Sequence, residues 1–178
     1  MSDIFDTAII SILENEGGFS DDPTDRGGRT QYGITQATYD GWNDSKDKKR
    51  VDVAKITHEE AIEIYRANYW DAGKFELIES PLIASKLFDL AVNCGVGAAS
   101  ILLQDAVNIC SRAQLSLDGS IGPKTAQAAN AIDETLLYNM VRFLAAHRYL
   151  NLINKSPDQV KFRRGWLLRL SKDNIPKD

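Results

Sequence analysis

Phe5, Ile9, Ile12 and Glu16 repeat at spacings of four, three and four, with Ala8 and Leu13 alongside. At 3.6 residues per turn, that pattern sets the Glu16 carboxyl within about 20° of an apolar helical stripe, at its C-terminal end. Apolar surroundings and the negative end of the helix dipole both disfavour a charged carboxyl, the condition a general acid needs. Gly17 and Gly18 follow, so another chain or a substrate can come close. The competing reading is a helix-terminal glutamate that turns to water. Asp25 lies nine residues on and Thr30 five further, in a segment shaped by Gly27 and Gly28. If that loop folds back, two carboxyls meet, one in apolar and one in polar surroundings, which suits an acid paired with a base or charge stabiliser. The threonine hydroxyl then positions a water. Taken singly, Asp25 and Thr30 are ordinary turn formers, so the signal is in the combination.

These residues must be positioned by elements that the rest of the chain specifies. The first helix ends at Gly17-Gly18. Residues 19–35, rich in Gly, Asp and Thr and without a helical period, read as turns with one or two short strands, the only β character in the chain. Thr35 is placed to cap a short helix through Trp42, and the charged run Asp44–Asp52 reads as exposed. Thr57-His58-Glu59-Glu60 fits a capping box that opens a helix ending near Asp71–Gly73. Ser80-Pro81 opens the next, interrupted by Gly95 and Gly97, and a helix from about Ala98 to Cys110 follows. Gly119 and Gly122-Pro123 bound a loop before a helix at Lys124–Ala131. Asp133 caps a long helix to about Ile153, and Ser156-Pro157-Asp158-Gln159 opens the last. The sum is a mostly α (α+β) domain of about seven helices without a linker.

Composition removes several functional classes. No apolar stretch in the 178 residues reaches the roughly 20 that a membrane-crossing helix needs, and no hydrophobic run follows a basic N-terminus as a secretion signal requires. Synthesis in the cytoplasm is therefore expected. Cys94 and Cys110 are too few for a disulfide framework and read as reduced and buried. The net charge of -4 hides an asymmetry: residues 1–141 carry 12 Lys and Arg against 22 Asp and Glu, and residues 142–178 carry 9 against 3. The basic end suits either an anionic polymer or a solvated helix face. A pI near 5.2 with no recognition module argues against nucleic acid as partner. His58 and His147 are the only histidines and neither lies in a metal motif, so no metal or cofactor is expected.

Glu16-Gly17-Gly18 together with the run from Asp25 to Thr35, DRGGRTQYGIT, resembles the signature of glycoside hydrolase family 108, the N-acetylmuramidases of phage endolysins and related bacterial proteins. The order Glu, Asp, Thr also resembles the catalytic triad of phage-type lysozymes. Phe88-Asp89-Leu90-Ala91-Val92-Asn93, Leu102-Leu103-Gln104, residues 117–125 (LDGSIGPKT) and Lys161-Phe162-Arg163-Arg164-Gly165-Trp166 resemble the family's peptidoglycan-binding region. The resemblance implies a two-lobed lysozyme-like domain over residues 1–178, with a catalytic lobe at 1–90 and a helical lobe at 91–178. It implies Glu16 as the acid that protonates the glycosidic oxygen, Asp25 as stabiliser of the oxocarbenium-like transition state or activator of water, and Thr30 as holder of that water, with Thr35 a weaker candidate. Tyr32 would line the cleft. Asn93 would bond a sugar group or else end its helix, Tyr69 and Trp70 would stack on sugars or else pack in the core, and Trp166 reads as a packing anchor.

The implied activity is hydrolysis of the β-1,4 bond between N-acetylmuramic acid and N-acetylglucosamine by a monomer whose partner is bacterial peptidoglycan. Two alternatives stand beside it. A lytic transglycosylase needs one acid/base glutamate and no assisting aspartate, and a wall-binding or secretion accessory needs neither. As an endolysin, the protein would leave the host cytoplasm through a holin pore to reach the wall. Export as a bacterial effector is the other route.

Overall fold

A computed structural model describes residues 4–16, 29–155, 160 and 163–171, with the side chains of residues 14–16 and 163 excepted. The chain divides into two compact units, Met1–Asn68 and Tyr69–Asp178.

In the first unit the apolar period of the N-terminal segment produces α1, Ile4–Glu16, which buries Phe5, Ala8, Ile9 and Ile12. Its first turn is fastened to Arg66, whose guanidinium lies 4.1 Å from the Phe5 ring centroid and 3.3 Å from the Asp6 carboxylate. Two short strands, β1 (Thr30–Gln31) and β2 (Ile34–Thr35), pair antiparallel with Thr30 opposite Thr35 and Gln31 opposite Ile34. Only the two residues Tyr32 and Gly33 join them, with φ of 52° and 72°. Positive φ at both positions is the type I′ geometry whose twist matches that of the flanking strands. The sheet ends where Thr35 caps α2, Gln36–Ser45, by accepting a hydrogen bond from the Thr38 N–H at 3.2 Å.

Gln36 then fixes the segment beyond α2. Its amide oxygen accepts from Val53 N–H at 2.7 Å and its amide nitrogen donates to Val51 O at 2.9 Å, which locks a 3-10 turn at Val53–Lys55. The expected capping box opens α3, His58–Tyr65: Glu60 N–H donates to the Thr57 hydroxyl, and the Glu60 carboxylate accepts from Thr57 N–H. A π-helical turn, Arg66–Asp71, continues the chain into the second unit.

The second unit is built on α4, Pro81–Cys94, which starts at the Ser80 cap and is buried continuously from Ile83 to Ala91. A helix buried on all sides must lie at the centre of its layer. It packs against α5 (Val96–Cys110) and α7 (Glu134–Lys155), while α6 (Pro123–Asn130) packs on α5 and α8 (Arg163–Ser171) on α7. Gly95 alone separates α4 from α5, at φ 89° and ψ 150°, a conformation essentially reserved for glycine. Trp70 meets the edges of Phe75 and Phe88 at 6.0 and 5.5 Å between ring centroids.

Two charged residues of α4 sit in this core, Lys86 and Asp89, each 1% exposed. Lys86 Nζ is 3.9 Å from the Asp89 carboxylate and donates to Arg169 O at 3.2 Å, and Arg169 Nε stands 3.4 Å from Asp89. This cluster and the bond from Arg142 Nε to Leu170 O at 2.8 Å hold α8 in place.

The fold is thus mostly helical, lysozyme-like, with a small antiparallel hairpin. The described residues contain eight α-helices. Several boundaries moved: α2 continues past Trp42 to Ser45, α3 gives way at Tyr65 to the π-helical turn, α5 begins at Val96, α6 lies one residue earlier, and α7 runs to Lys155. The expected opening of the last helix at Ser156-Pro157 and most of the expected β region at 19–35 lie outside the described residues. Both cysteines are free thiols, but partly exposed rather than buried.

Candidate active site

The first unit supplies two framed positions. Glu16 is the last residue of α1. Thr30 opens β1, half-buried, with its backbone paired to Thr35 across the hairpin. Asp25 lies outside the described residues. Thr35, the weaker candidate for the third catalytic position, has its hydroxyl engaged as the α2 cap and stands 3.0 Å from the Thr38 hydroxyl.

The hairpin turn is braced from behind. A non-glycine residue in the left-handed region costs about 1–2 kcal/mol, so Tyr32 needs compensation there. Its carbonyl accepts a 2.8 Å hydrogen bond from the buried Tyr65 hydroxyl, and its ring lies edge-on to His58 at 5.8 Å. The strand before the turn is tied down as well. Arg29 forms a 2.7 Å ion pair with Asp52, whose carboxyl is held below its ordinary range, first by the Ala54 N–H and then by Arg29. The C-terminal side of the hairpin rests on α2, where buried Tyr39 donates to Glu60 at 2.9 Å. Burial and the neighbouring Glu60 carboxylate raise the Tyr39 phenol above its usual range. Thr30 and Tyr32 therefore sit on a hairpin anchored at its turn and both flanks.

The second unit carries the other three candidates. Tyr69 is half-exposed on the π-helical turn, whereas Trp70 is 2% exposed, its ring enclosed with Phe75 and Phe88. Asn93 lies in the last turn of α4 and does not cap it, since the capping residue is Gly95, whose N–H donates to Ala91 O. The Asn93 side-chain oxygen accepts from the Tyr149 hydroxyl at 2.8 Å. Burial, with Cys94 and Asp89 nearby, pushes the Tyr149 phenol far above its usual range, so it stays a neutral donor. Trp166 stacks on Tyr149 at 4.9 Å and 19°, which makes it the packing anchor that the sequence suggested.

Sequence reasoning passed over two positioning residues, Gln104 and Asn108. Gln104 is 1% exposed on α5; it donates to Asp118 at 2.7 Å and to Ser120 O at 3.0 Å, and accepts from Gly119 N–H at 3.0 Å. Asn108 brackets Leu115, accepting from its N–H at 2.6 Å and donating to its carbonyl at 2.9 Å. The two motifs 102–104 and 117–125 are thus halves of one device that fixes the α5–α6 loop. A polar residue at a core position of an apolar helix was the available signal.

The buried α1 stripe, the braced hairpin and the helical second unit fit a lysozyme-like fold, and sequence comparison gives the class. Residues 9–95 match the model of the glycosyl hydrolase 108 family, and residues 98–171 match that of a predicted peptidoglycan domain. The N-terminal region belongs to the glycosyl hydrolase 108 family and the C-terminal region to the predicted peptidoglycan domain, so the chain is a glycosidase directed at peptidoglycan. Among solved structures, Brucella abortus SagA is similar at 28% identity over 96% of this chain and 91% of that chain, with a TM-score of 0.77. No curated protein matches the chain.

Proposed function

We propose that the protein is an N-acetylmuramidase that hydrolyses the β-1,4 bond between N-acetylmuramic acid and N-acetylglucosamine. The observation that carries this reading is that the region belonging to the glycosyl hydrolase 108 family, residues 9–95, contains Glu16, Asp25 and Thr30 in order, with α1 ending on the first and the anchored hairpin starting on the last. Glu16 donates its proton to the glycosidic oxygen as the bond to the anomeric carbon breaks. Asp25 stabilises the positive charge that develops on the sugar or takes a proton from the attacking water, and Thr30 holds that water. No cofactor enters this scheme.

Tyr32, fixed at its turn, lines the sugar site in the first unit. In the second, Tyr69 offers a half-exposed ring, and Asn93, its carbonyl already taken by Tyr149, acts through its amide nitrogen. Trp70 supports the turn that presents Tyr69. In this reading residues 1–90 form the catalytic lobe and 91–178 the helical lobe of a monomeric endolysin released to the wall through a holin pore. Among the described residues no helix is long and apolar enough to cross a membrane.

The test is mass spectrometry of fragments released from purified peptidoglycan after borohydride reduction, with wild type and Glu16→Gln compared. Reduced N-acetylmuramic acid ends from wild type alone are expected. Anhydro-muramic ends would make the enzyme a lytic transglycosylase, reduced N-acetylglucosamine ends a glucosaminidase, and near-wild-type activity of Glu16→Gln would remove Glu16 from the chemistry.

A further inference from the structure

The second unit holds a groove of about 470 Å3 between α5 and α7, lined by Ala98, Ile101, Leu102 and Asp105 on one wall and by Leu144, His147, Arg148, Asn151, Leu152 and Lys155 on the other. Its volume falls within the roughly 300–1,000 Å3 of small-ligand sites. We propose that this groove binds the peptide stem of peptidoglycan, and so recognises the wall through a different component from the glycan that is cleaved. The inference rests on the peptidoglycan-hydrolase reading and adds a site to it.

The lining has the chemistry of a short zwitterionic peptide. On α7 the residues recur at Leu144, His147/Arg148, Asn151/Leu152 and Lys155, one face spanning about 16 Å at 1.5 Å per residue. An extended chain of four residues covers about 13–14 Å. Arg148 and Lys155 are exposed at intervals along that wall, with Asn151 between them, and both belong to the basic C-terminal stretch. Asp105 places one carboxylate on the opposite wall.

A stem of alternating alanines and acidic or diamino residues carries carboxylates for the α7 cations, an ammonium for Asp105 and methyl groups for the apolar Leu102, Ile101 and Leu144 on the two walls. A purely anionic polymer would have no use for Asp105. Among the described lining residues there is no phenyl, phenol or indole ring, the surfaces on which sugars stack.

Calorimetric titration of the full chain tests this with three probes: a free stem tetrapeptide of L-alanine, D-glutamate, a diamino acid and D-alanine; the peptide-free disaccharide; and polyglycerol phosphate. The tetrapeptide is expected to bind, to bind at least tenfold more weakly to Arg148→Gln/Lys155→Gln, and to bind undiminished to the charge-matched control Lys49→Gln/Lys124→Gln, two exposed lysines outside the groove. Asp105→Asn should weaken the tetrapeptide but leave polyglycerol phosphate unchanged. Circular dichroism confirms that each variant is folded. Equal tetrapeptide affinity of wild type and the double variant, or binding only of the disaccharide or of polyglycerol phosphate, would overturn the proposal. The hydrolase reading is scored separately on the same preparations: digestion of purified sacculi without tetrapeptide binding removes the groove and keeps the enzyme, while groove-dependent binding without digestion does the reverse.

Discussion

Replacing Asp89 by Asn should destabilise the second unit far more than replacing Lys86 by Met, although the two residues form one ion pair. Asp89 is 1% exposed and faces two cations, Lys86 at 3.9 Å and Arg169 at 3.4 Å. Removing its charge takes one counter-ion from both a buried ammonium and a mostly buried guanidinium, a loss of about 3–5 kcal/mol for a broken buried pair. Removing Lys86 leaves Asp89 paired with Arg169 and puts an unbranched apolar chain in a space of similar length. That change should cost about 1–2 kcal/mol, the scale of one charge-assisted hydrogen bond, here the one from Lys86 Nζ to Arg169 O. Urea denaturation read by circular dichroism separates the two. With a slope of about 2 kcal/mol per molar, the midpoint falls by about 2 M for Asp89→Asn and by less than 1 M for Lys86→Met. Equal shifts, or a neutral Asp89→Asn, would show that the cluster is not an ionic latch for α8.

Four further outcomes follow from the same geometry. Gly33→Ala puts a side chain at φ 72° in the two-residue turn, and should cost about 1–2 kcal/mol and lower turnover on peptidoglycan through the displaced Thr30, measured by chemical denaturation and turbidity clearing. Tyr65→Phe deletes the 2.8 Å bond to the Tyr32 carbonyl, and should speed amide exchange across residues 30–35 with a loss of about 1 kcal/mol. The Asp118 carboxyl lies below its ordinary range because Gln104 and then Ser120 N–H bond its charged form, so the stability it contributes is present above the unfolded value near about 3.9 and lost as pH falls through the depressed folded value. An NMR titration should return the Asp118 midpoint upward in Gln104→Leu. Burial raises the Cys94 thiol, so alkylation at neutral pH should be slower than for a free cysteine and should rise steeply only in alkaline buffer.

The α1 stripe, the Thr57 capping box and the Ser80-Pro81 start were legible because each is written in neighbouring residues and decided by local chemistry. The hairpin was legible only as a region. Its register depends on Tyr32 accepting a left-handed conformation, and that is tolerated because Tyr65, thirty-three residues away in sequence, binds its carbonyl. The same distance problem hid Gln104: on the sequence it is one polar residue in an apolar helix, and its meaning comes from Gly119 and Ser120, which arrive from the next loop. Asn93 read as either a sugar contact or a cap, and the cap reading fails because α4 continues one residue further and Gly95 ends it.

Of the candidate site, what could be read was the type and order of Glu16, Asp25 and Thr30; what could not be read was how rigidly they are held. Catalysis by positioned carboxyls needs both, since a misplacement of about 1 Å can cost a hundredfold in rate. The hairpin itself is braced by the Tyr65 phenol behind the turn, the Arg29–Asp52 pair before it and the Thr35 cap after it. The first two can be altered without touching a proposed catalytic group. If Thr30 works by holding a water, Tyr65→Phe should lower kcat with KM nearly unchanged, because a loosened hairpin impairs the attack and not the grip on the glycan. A rise in KM alone would instead assign this hairpin to substrate binding, with Tyr32 as its contact and Thr30 outside the chemistry.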